Sequence, residues 1–146
     1  MKKGITLIEI LVVMVIVSVI AAFSLPMLNK ARVKGLKVKT KSIIASLEAA
    51  ISMYESDFGD YPAFDGGADN SSFVFLLQGP SDNENWHGPY MRFKKEDMDE
   101  NSNLIDPWKT SFSYKYPQSE HSNTPYLIIS AGPDREFDTN DDIDNW

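Results

Sequence analysis

Hydrophobic positions along this chain follow three rhythms. From Ile10 to Leu28 they are almost unbroken, nineteen residues without a charge, ILVVMVIVSVIAAFSLPML. A helix of that length rises about 1.5 Å per residue and spans roughly 28 Å, close to the hydrocarbon thickness of a bilayer. Beyond Pro26 the pattern turns periodic. Val33, Leu36, Ile43, Leu47, Ile51, Tyr54 and Phe58 recur at intervals of three, four or seven, separated by Lys34, Lys37, Lys39, Lys41, Ser46, Glu48 and Glu55. That spacing predicts an amphipathic continuation of the same helix over 29–58, packed from Ile43 onward on a globular domain. Gly59 with Tyr61-Pro62 supplies a stop. Residues 5 to about 57 are thus expected as one helix of roughly 80 Å, its first half projecting.

Residues 59–146 carry a third pattern, short apolar runs between stretches of Gly, Pro, Asn, Asp and Ser. Short elements and long loops follow from it. The strand candidates are Phe73–Leu77, Ser111–Tyr116 and Tyr126–Ser130. In the second, Phe112, Tyr114 and Tyr116 alternate with Ser113 and Lys115, which reads as half-buried. The apolar Tyr126-Leu127-Ile128-Ile129 is expected to be the most buried. The architecture expected is α+β, a long N-terminal helix packed on a small antiparallel head.

Composition narrows the chemistry. The 146 residues suffice for one modest domain. The absence of Cys excludes a disulfide framework and thiolate ligands, and His87 and His121 alone leave little for a zinc or triad enzyme. No nucleophile–base pair or phosphate loop is visible, so no catalytic residue is assigned and the chain is not expected to be an enzyme. The net charge of −7 is unevenly spread: residues 1–41 hold eight basic residues against Glu9 alone, and 42–146 hold six basic and twenty acidic residues. Such a division argues against a nucleic-acid-binding surface and for two environments along one chain.

The apolar run is too long for a cleaved secretory signal, and Pro26-Met27-Leu28-Asn29-Lys30 makes a poor cleavage site. A plain membrane anchor with Lys2 and Lys3 on a cytoplasmic tail accounts for the length but not for Glu9. A carboxylate entering an apolar stretch is expensive in lipid and needs a partner. None is expected on its own helix, so the partner is placed on an adjacent chain, as an N-terminal ammonium exposed by a cut just upstream.

Here the residues carry a resemblance. Lys3-Gly4-Ile5-Thr6-Leu7-Ile8-Glu9-Ile10-Leu11-Val12-Val13 resembles the prepilin signal of type IV pilins and type II secretion pseudopilins. The resemblance implies that prepilin peptidase removes a leader, residues 1–4, by cutting between Gly4 and Ile5, and methylates the Ile5 amine. Phenylalanine is commoner where Ile5 stands. Glu9 and Pro26 stand where the family keeps a glutamate and often a helix-loosening proline, and both are implied to serve assembly. Residues 5–28 would be a transmembrane helix that becomes filament core. Trp86-His87-Gly88-Pro89-Tyr90, Asp106-Pro107-Trp108 and Tyr114-Lys115-Tyr116 are similar to the W-x-G-P-Y…D-P-W-G-x-x-Y-x-Y pattern of the major pseudopilin of type II secretion, the general secretion pathway protein G family. Tyr54-Glu55-Ser56-Asp57-Phe58-Gly59-Asp60-Tyr61-Pro62 resembles its Y-x-x-D-x-G-x-Y-P segment. Lys109 replaces the usual glycine after the Trp, which leaves the turn there open to alteration. The aromatics themselves read as core and turn residues.

The C-terminal loop, 130–144, puts six acids in the eleven residues from Asp134 to Asp144. Hard oxygens at that density suit Ca²⁺, which takes six to eight of them. An EF-hand fails, because Thr139 replaces its glycine and Asn145 its bidentate glutamate. Instead G-P-D-x-x-x-x-T-x-D-D-I, ending in x-N-W, resembles the calcium loop of the same family. That resemblance implies Asp134, Asp141 and Asp142 as side-chain ligands, the backbone carbonyl of Ala131 as another, and Asp138 as a candidate addition. Arg135 and Asp138 replace frequent glycines.

The function implied is a structural subunit that polymerises into the periplasmic pseudopilus supporting export of folded proteins across the outer membrane. Its partners would be further copies of itself, prepilin peptidase, minor pseudopilins, the inner-membrane assembly platform and, before assembly, the bacterial inner membrane, which it crosses once with its head in the periplasm. A type IV or competence-type pilin and a membrane-anchored calcium-binding module are the alternatives. The basic set from Lys30 to Lys41 fits anionic lipid headgroups or acidic surfaces of neighbouring subunits.

Overall fold

The computed structural model describes residues 4, 6–67, 69–79 and 82–146, with the side chains of 23–27 also outside the description. Helix α1 runs Leu7–Phe58, 52 residues, and is followed by α2, Ser71–Gln78. Strands β1 (Phe64–Asp65), β2 (Ser113–Tyr116), β3 (Leu127–Ser130) and β4 (Ile143–Asp144) form an antiparallel sheet in that order. The arrangement is the expected α+β, pilin-like one. The chain forms two compact units, Met1–Gly35 and Leu36–Trp146.

In the first unit the apolar side chains from Leu7 to Ile20 are 49–84% exposed, so nothing in that unit covers them. Ser18 turns its hydroxyl back onto the Met14 carbonyl at 2.7 Å, which satisfies it without solvent. Among the described residues no helix is long and apolar enough to cross a membrane; the run expected to do so includes residues 23–27, whose side chains lie outside the description.

In the second unit α1 buries Thr40, Ile44, Leu47, Ala50 and Ile51, all at 3% exposure or less. Their spacing of three and four draws one stripe along the helix. Thr40 tolerates burial because its hydroxyl donates to the Leu36 carbonyl at 3.0 Å. Against this stripe pack Phe73, Val74 and Leu77 of α2, Leu104 and Phe112, and Tyr114, Tyr126, Ile128 and Ile143 from the sheet. Each large aliphatic side chain withdrawn from water contributes about 1.5–3 kcal/mol relative to an exposed one. Of the expected stripe, Ile43, Leu47, Ile51 and Tyr54 face this core, while Val33 belongs to the first unit and is 38% exposed. Gly59 ends α1 with φ +75°, its N–H donating to the Glu55 carbonyl at 2.7 Å, the left-handed C-terminal stop its sequence position implied.

Ser113–Tyr116 and Leu127–Ser130 fall within the expected strands, and they pair as Ser113↔Ile129, Tyr114↔Ile128 and Lys115↔Leu127. Tyr114 carries the alternation into the core: it stacks on Phe73 at 4.1 Å and donates its hydroxyl to the Pro62 carbonyl at 2.9 Å. Phe73–Leu77, expected as a strand, is helix α2. Its buried residues Phe73, Val74 and Leu77 follow i, i+1, i+4, and Phe75 is 59% exposed, so only a helix places the three on one face. The short strands β1 and β4 carry too little pattern to be read locally. They exist because Phe64 and Asp65 pair with Tyr116 and Lys115, and Asp144 and Ile143 with Ile129 and Ser130.

Asn70 joins α2 to the 103–112 segment. It is 1% exposed, its amide donates to the carbonyls of Leu104 (3.0 Å) and Phe112 (2.8 Å), and its oxygen accepts the Leu104 N–H at 2.7 Å. Its own N–H donates to the Asn103 side chain at 2.9 Å. Every polar atom of a buried amide is thereby used, the condition for placing one there.

Candidate functional site

At the entrance of α1, nothing among the described residues lies within 4 Å of where a Cβ on Gly4 would stand, and Ile5, the expected site of cleavage and methylation, lies outside the described residues. Glu9 does have a partner on its own chain, contrary to expectation. Its Oε2 accepts the Thr6 N–H and the Thr6 hydroxyl, both at 2.8 Å, and the Glu9 N–H faces Thr6 Oγ1 at 3.4 Å. This is a capping box, T-x-x-E, in which each residue satisfies an orphan donor of the first helical turn. The spacing was legible in the sequence, and Thr6 is the residue that reading passed over. The pair supplies hydrogen bonds but no positive charge. The backbone of α1 is helical through Pro26.

The acidic loop connects β3 to β4. Ala131 is fully buried, Gly132–Asp134 makes one 3-10 turn, and Arg135 and Asp138 take left-handed φ of +66° and +67°. Non-glycine residues therefore hold the turns where the resemblance leads to an expectation of glycine, and Lys109 does the same at +74°. Gly132, at φ +68°, is required for a second reason: a Cβ there would stand 2.3 Å from the Asp141 carbonyl oxygen. This contact folds the loop back on itself.

The carboxylates expected as ligands lie on the one loop between β3 and β4, where they accept from the loop's own donors. Asp141 Oδ2 accepts the Asp134 N–H at 3.2 Å, and the Thr139 hydroxyl stands between Asp141 Oδ1 (2.9 Å) and Asp142 Oδ1 (3.4 Å). Asp142 Oδ2 accepts the Asp138 N–H at 2.9 Å, and Asp134 Oδ1 accepts the Glu136 N–H at 2.9 Å. The Thr139 hydroxyl, then the Asp134 N–H and the charge of Lys37, hold the Asp141 carboxyl below the usual aspartate range. Among the described residues no three His, Cys, Asp or Glu side chains converge into a metal-holding group, and these carboxylates accept from the loop's own N–H and O–H donors. Each carboxylate oxygen keeps a further lone pair, so the loop carries hard oxygen donors that do not converge on one point. Thr139, whose hydroxyl stands between Asp141 and Asp142, and Asn145, whose oxygen accepts the Ile128 N–H at 2.9 Å to extend the β3–β4 edge, are functional-loop residues to which the sequence reading gave no role.

The remaining motif residues hold the head together. Asp57 Oδ2 accepts the Tyr90 hydroxyl at 2.6 Å and the His87 N–H at 3.0 Å, tying the end of α1 to the Trp86–Tyr90 segment. The hydroxyl bond lowers the Asp57 pKa, while burial and then Asp57 push Tyr90 up to about 12. His121 stacks on Trp146 at 4.3 Å. None of these groups forms a nucleophile–base pair.

Residues 26–146 match the family model of type II secretion system (T2SS) protein G, and residues 1–25 match the prokaryotic N-terminal methylation motif. The chain is similar to the type II secretion system core protein G of Escherichia coli K12, 35% identical over 145 residues that cover 99% of this chain and 91% of the relative. It is also similar to the proteins of the same name from Pectobacterium carotovorum (33% identical, 99% and 85% covered) and Klebsiella pneumoniae (32% identical, 99% and 94% covered).

Proposed function

Because the chain belongs to the type II secretion system protein G family, whose members are structural pseudopilins, we propose that it is the major subunit of a pseudopilus that supports export of folded proteins across the outer membrane. The observation that carries this reading is the entrance half of α1: a continuous apolar surface, 49–84% exposed from Leu7 to Ile20, broken by one carboxylate at its start. Such a surface is stable against lipid tails and equally against copies of itself, so a subunit can pass from membrane to filament core with little change in what it buries. In this account prepilin peptidase cuts after Gly4, the new amine of Ile5 is methylated, and the helix stays in the inner membrane with the head in the periplasm. Minor pseudopilins and the inner-membrane platform start the polymer. Glu9 then meets the N-terminal ammonium of a neighbouring copy, with Thr6 already holding its carboxylate in place. The work is packing, and no bond is made or broken by this chain.

In the head, the carboxylates of Asp134, Asp141 and Asp142 and the carbonyl of Ala131, with Asp138 as a further donor, would hold one Ca²⁺. When bound it supplies charge neutralisation to six acids crowded into eleven residues.

Glu9→Ala tests the assembly reading. The variant is expected to be cleaved and recovered in the membrane fraction at normal levels, yet to give no sheared filaments. Filaments of normal yield would remove Glu9 from assembly. For the loop, chelation is expected to lower the melting temperature of a soluble fragment 29–146, and Asp134→Ala to abolish that response. A melt unchanged by excess calcium would rule the ion out.

A further inference from the structure

We propose that Lys30, Arg32 and Lys34 form a ring of cations that holds the phosphates of anionic phospholipids where α1 leaves the bilayer. This rests on the membrane stage of the function proposed above and names the lipid class that this stage requires. All three side chains are exposed, and they follow the apolar run Ile10–Leu28 after one intervening residue, Asn29. They lie in the first compact unit, on the helix that carries that run.

Three observations select a headgroup layer over a protein partner. At 3.6 residues per turn, Lys30 and Lys34 share one side of the helix, and Arg32, two residues from each, lies on the opposite side. The set rises only about 6 Å along the axis. Positive charge is therefore spread around the helix at one depth, which matches a headgroup layer that surrounds it, whereas a neighbouring subunit would engage one side. Next, α1 offers these cations no acid of its own. Between Glu9 and Glu48 the sequence contains no Asp or Glu, so the positions three and four residues away hold none. Among the described residues none of the three has an ion-pair partner, whereas Lys39, further along α1, meets Asp97 at 3.2 Å. Last, basic residues favour the cytoplasmic side of a membrane, so a cluster at the periplasmic exit works against the orientation that keeps Lys2 and Lys3 in the cytoplasm. It is no topology signal, and attraction to phosphate accounts for its place. The long aliphatic stems suit the boundary beside Leu28, 64% exposed, while the charged ends reach the headgroups.

The test reconstitutes the full-length chain in phosphatidylcholine vesicles. Electron spin resonance then reads the association of spin-labelled phosphatidylglycerol, relative to spin-labelled phosphatidylcholine, with the protein boundary. Lys2→Gln/Lys3→Gln serves as the parent, so that the leader lysines do not contribute. Each cation near the surface favours an anionic lipid about five-fold, and averaging over boundary lipids that touch no cation leaves an expected preference of about three-fold. The preference should vanish at about 1 M salt, where charges are screened within about 3 Å. Lys30→Gln/Arg32→Gln/Lys34→Gln should abolish it at low salt, and Lys30→Arg/Arg32→Lys/Lys34→Arg should keep it. Lys94→Gln/Lys95→Gln, which neutralises an exposed basic pair in the head, should leave it unchanged. If neither lipid is immobilised at the boundary, the membrane reading and the inference fall together. If lipid is immobilised without preference, or the preference survives high salt, the inference falls and the membrane reading stands. A triple Gln variant that keeps the preference but yields no sheared filaments would assign the cluster to acids of a neighbouring subunit and overturn the inference.

Discussion

Replacing Asn70 by alanine should be among the most damaging single changes in the head, although the residue touches no proposed ligand. The substitution removes three side-chain hydrogen bonds in a site 1% exposed. The Leu104 carbonyl keeps the Phe112 N–H at 3.0 Å, so it is only partly deprived. The Leu104 N–H loses the Asn70 oxygen, and the Phe112 carbonyl loses the Asn70 amide. Leaving a buried backbone group unpaired costs about 1–3 kcal/mol, so two such groups cost about 2–6 kcal/mol, with a mid-value of about 4 kcal/mol. With a urea dependence of about 1.5–2 kcal/mol per molar, the unfolding midpoint of fragment 29–146 should fall by about 2 M, read by tryptophan fluorescence. Asn70→Asp sharpens the point. Its oxygen still accepts from Leu104, but at neutral pH a carboxylate would face two carbonyls, so the loss should exceed that of alanine. Burial raises the pKa of such an acid, and stability should recover as pH falls through that raised value. A loss below about 1 kcal/mol for Asn70→Ala would refute the reasoning, because water would then be reaching both backbone groups.

Two further outcomes are expected. Lys109→Gly should stabilise the head by about 0.5–1 kcal/mol, since φ +74° costs a side-chain-bearing residue more than the extra freedom of glycine in the unfolded chain; an unchanged or lower midpoint would show that the Lys109 ammonium near the Glu96 carbonyl matters more. Tyr90, Tyr114 and Tyr126 should stay protonated until the head unfolds: burial raises each above the ordinary 10.0, Tyr90 and Tyr126 to about 12 and Tyr114 further. The stability they contribute is full below pH 10 and is lost as pH rises through the folded values, so ultraviolet titration should show their ionisation coinciding with unfolding. Tyrosine spectra that titrate completely near pH 10 in the folded state would contradict it.

The N-terminal half was legible because what shapes it is local. A helix needs only its own residues for its hydrogen bonds, and the stop at Gly59, the spacing from Gly4 to Glu9 and the T-x-x-E box at Thr6 are all set within one or two turns. The composition of the C-terminal loop likewise announced its crowding of carboxylates. The tertiary structure decided what depends on remote partners. Phe73–Leu77 became α2 because the core offered a surface to one helical face, and two-residue strands exist only through pairing with distant neighbours. Asn70 bonds to Leu104 and Phe112, 34 and 42 positions on, and Asp106 reaches Ser130 across 24. A residue's identity announces that a buried amide or carboxylate needs partners, and only the folded chain chooses them, because burial makes every unpaired group costly and the fold alone determines which donors lie within reach.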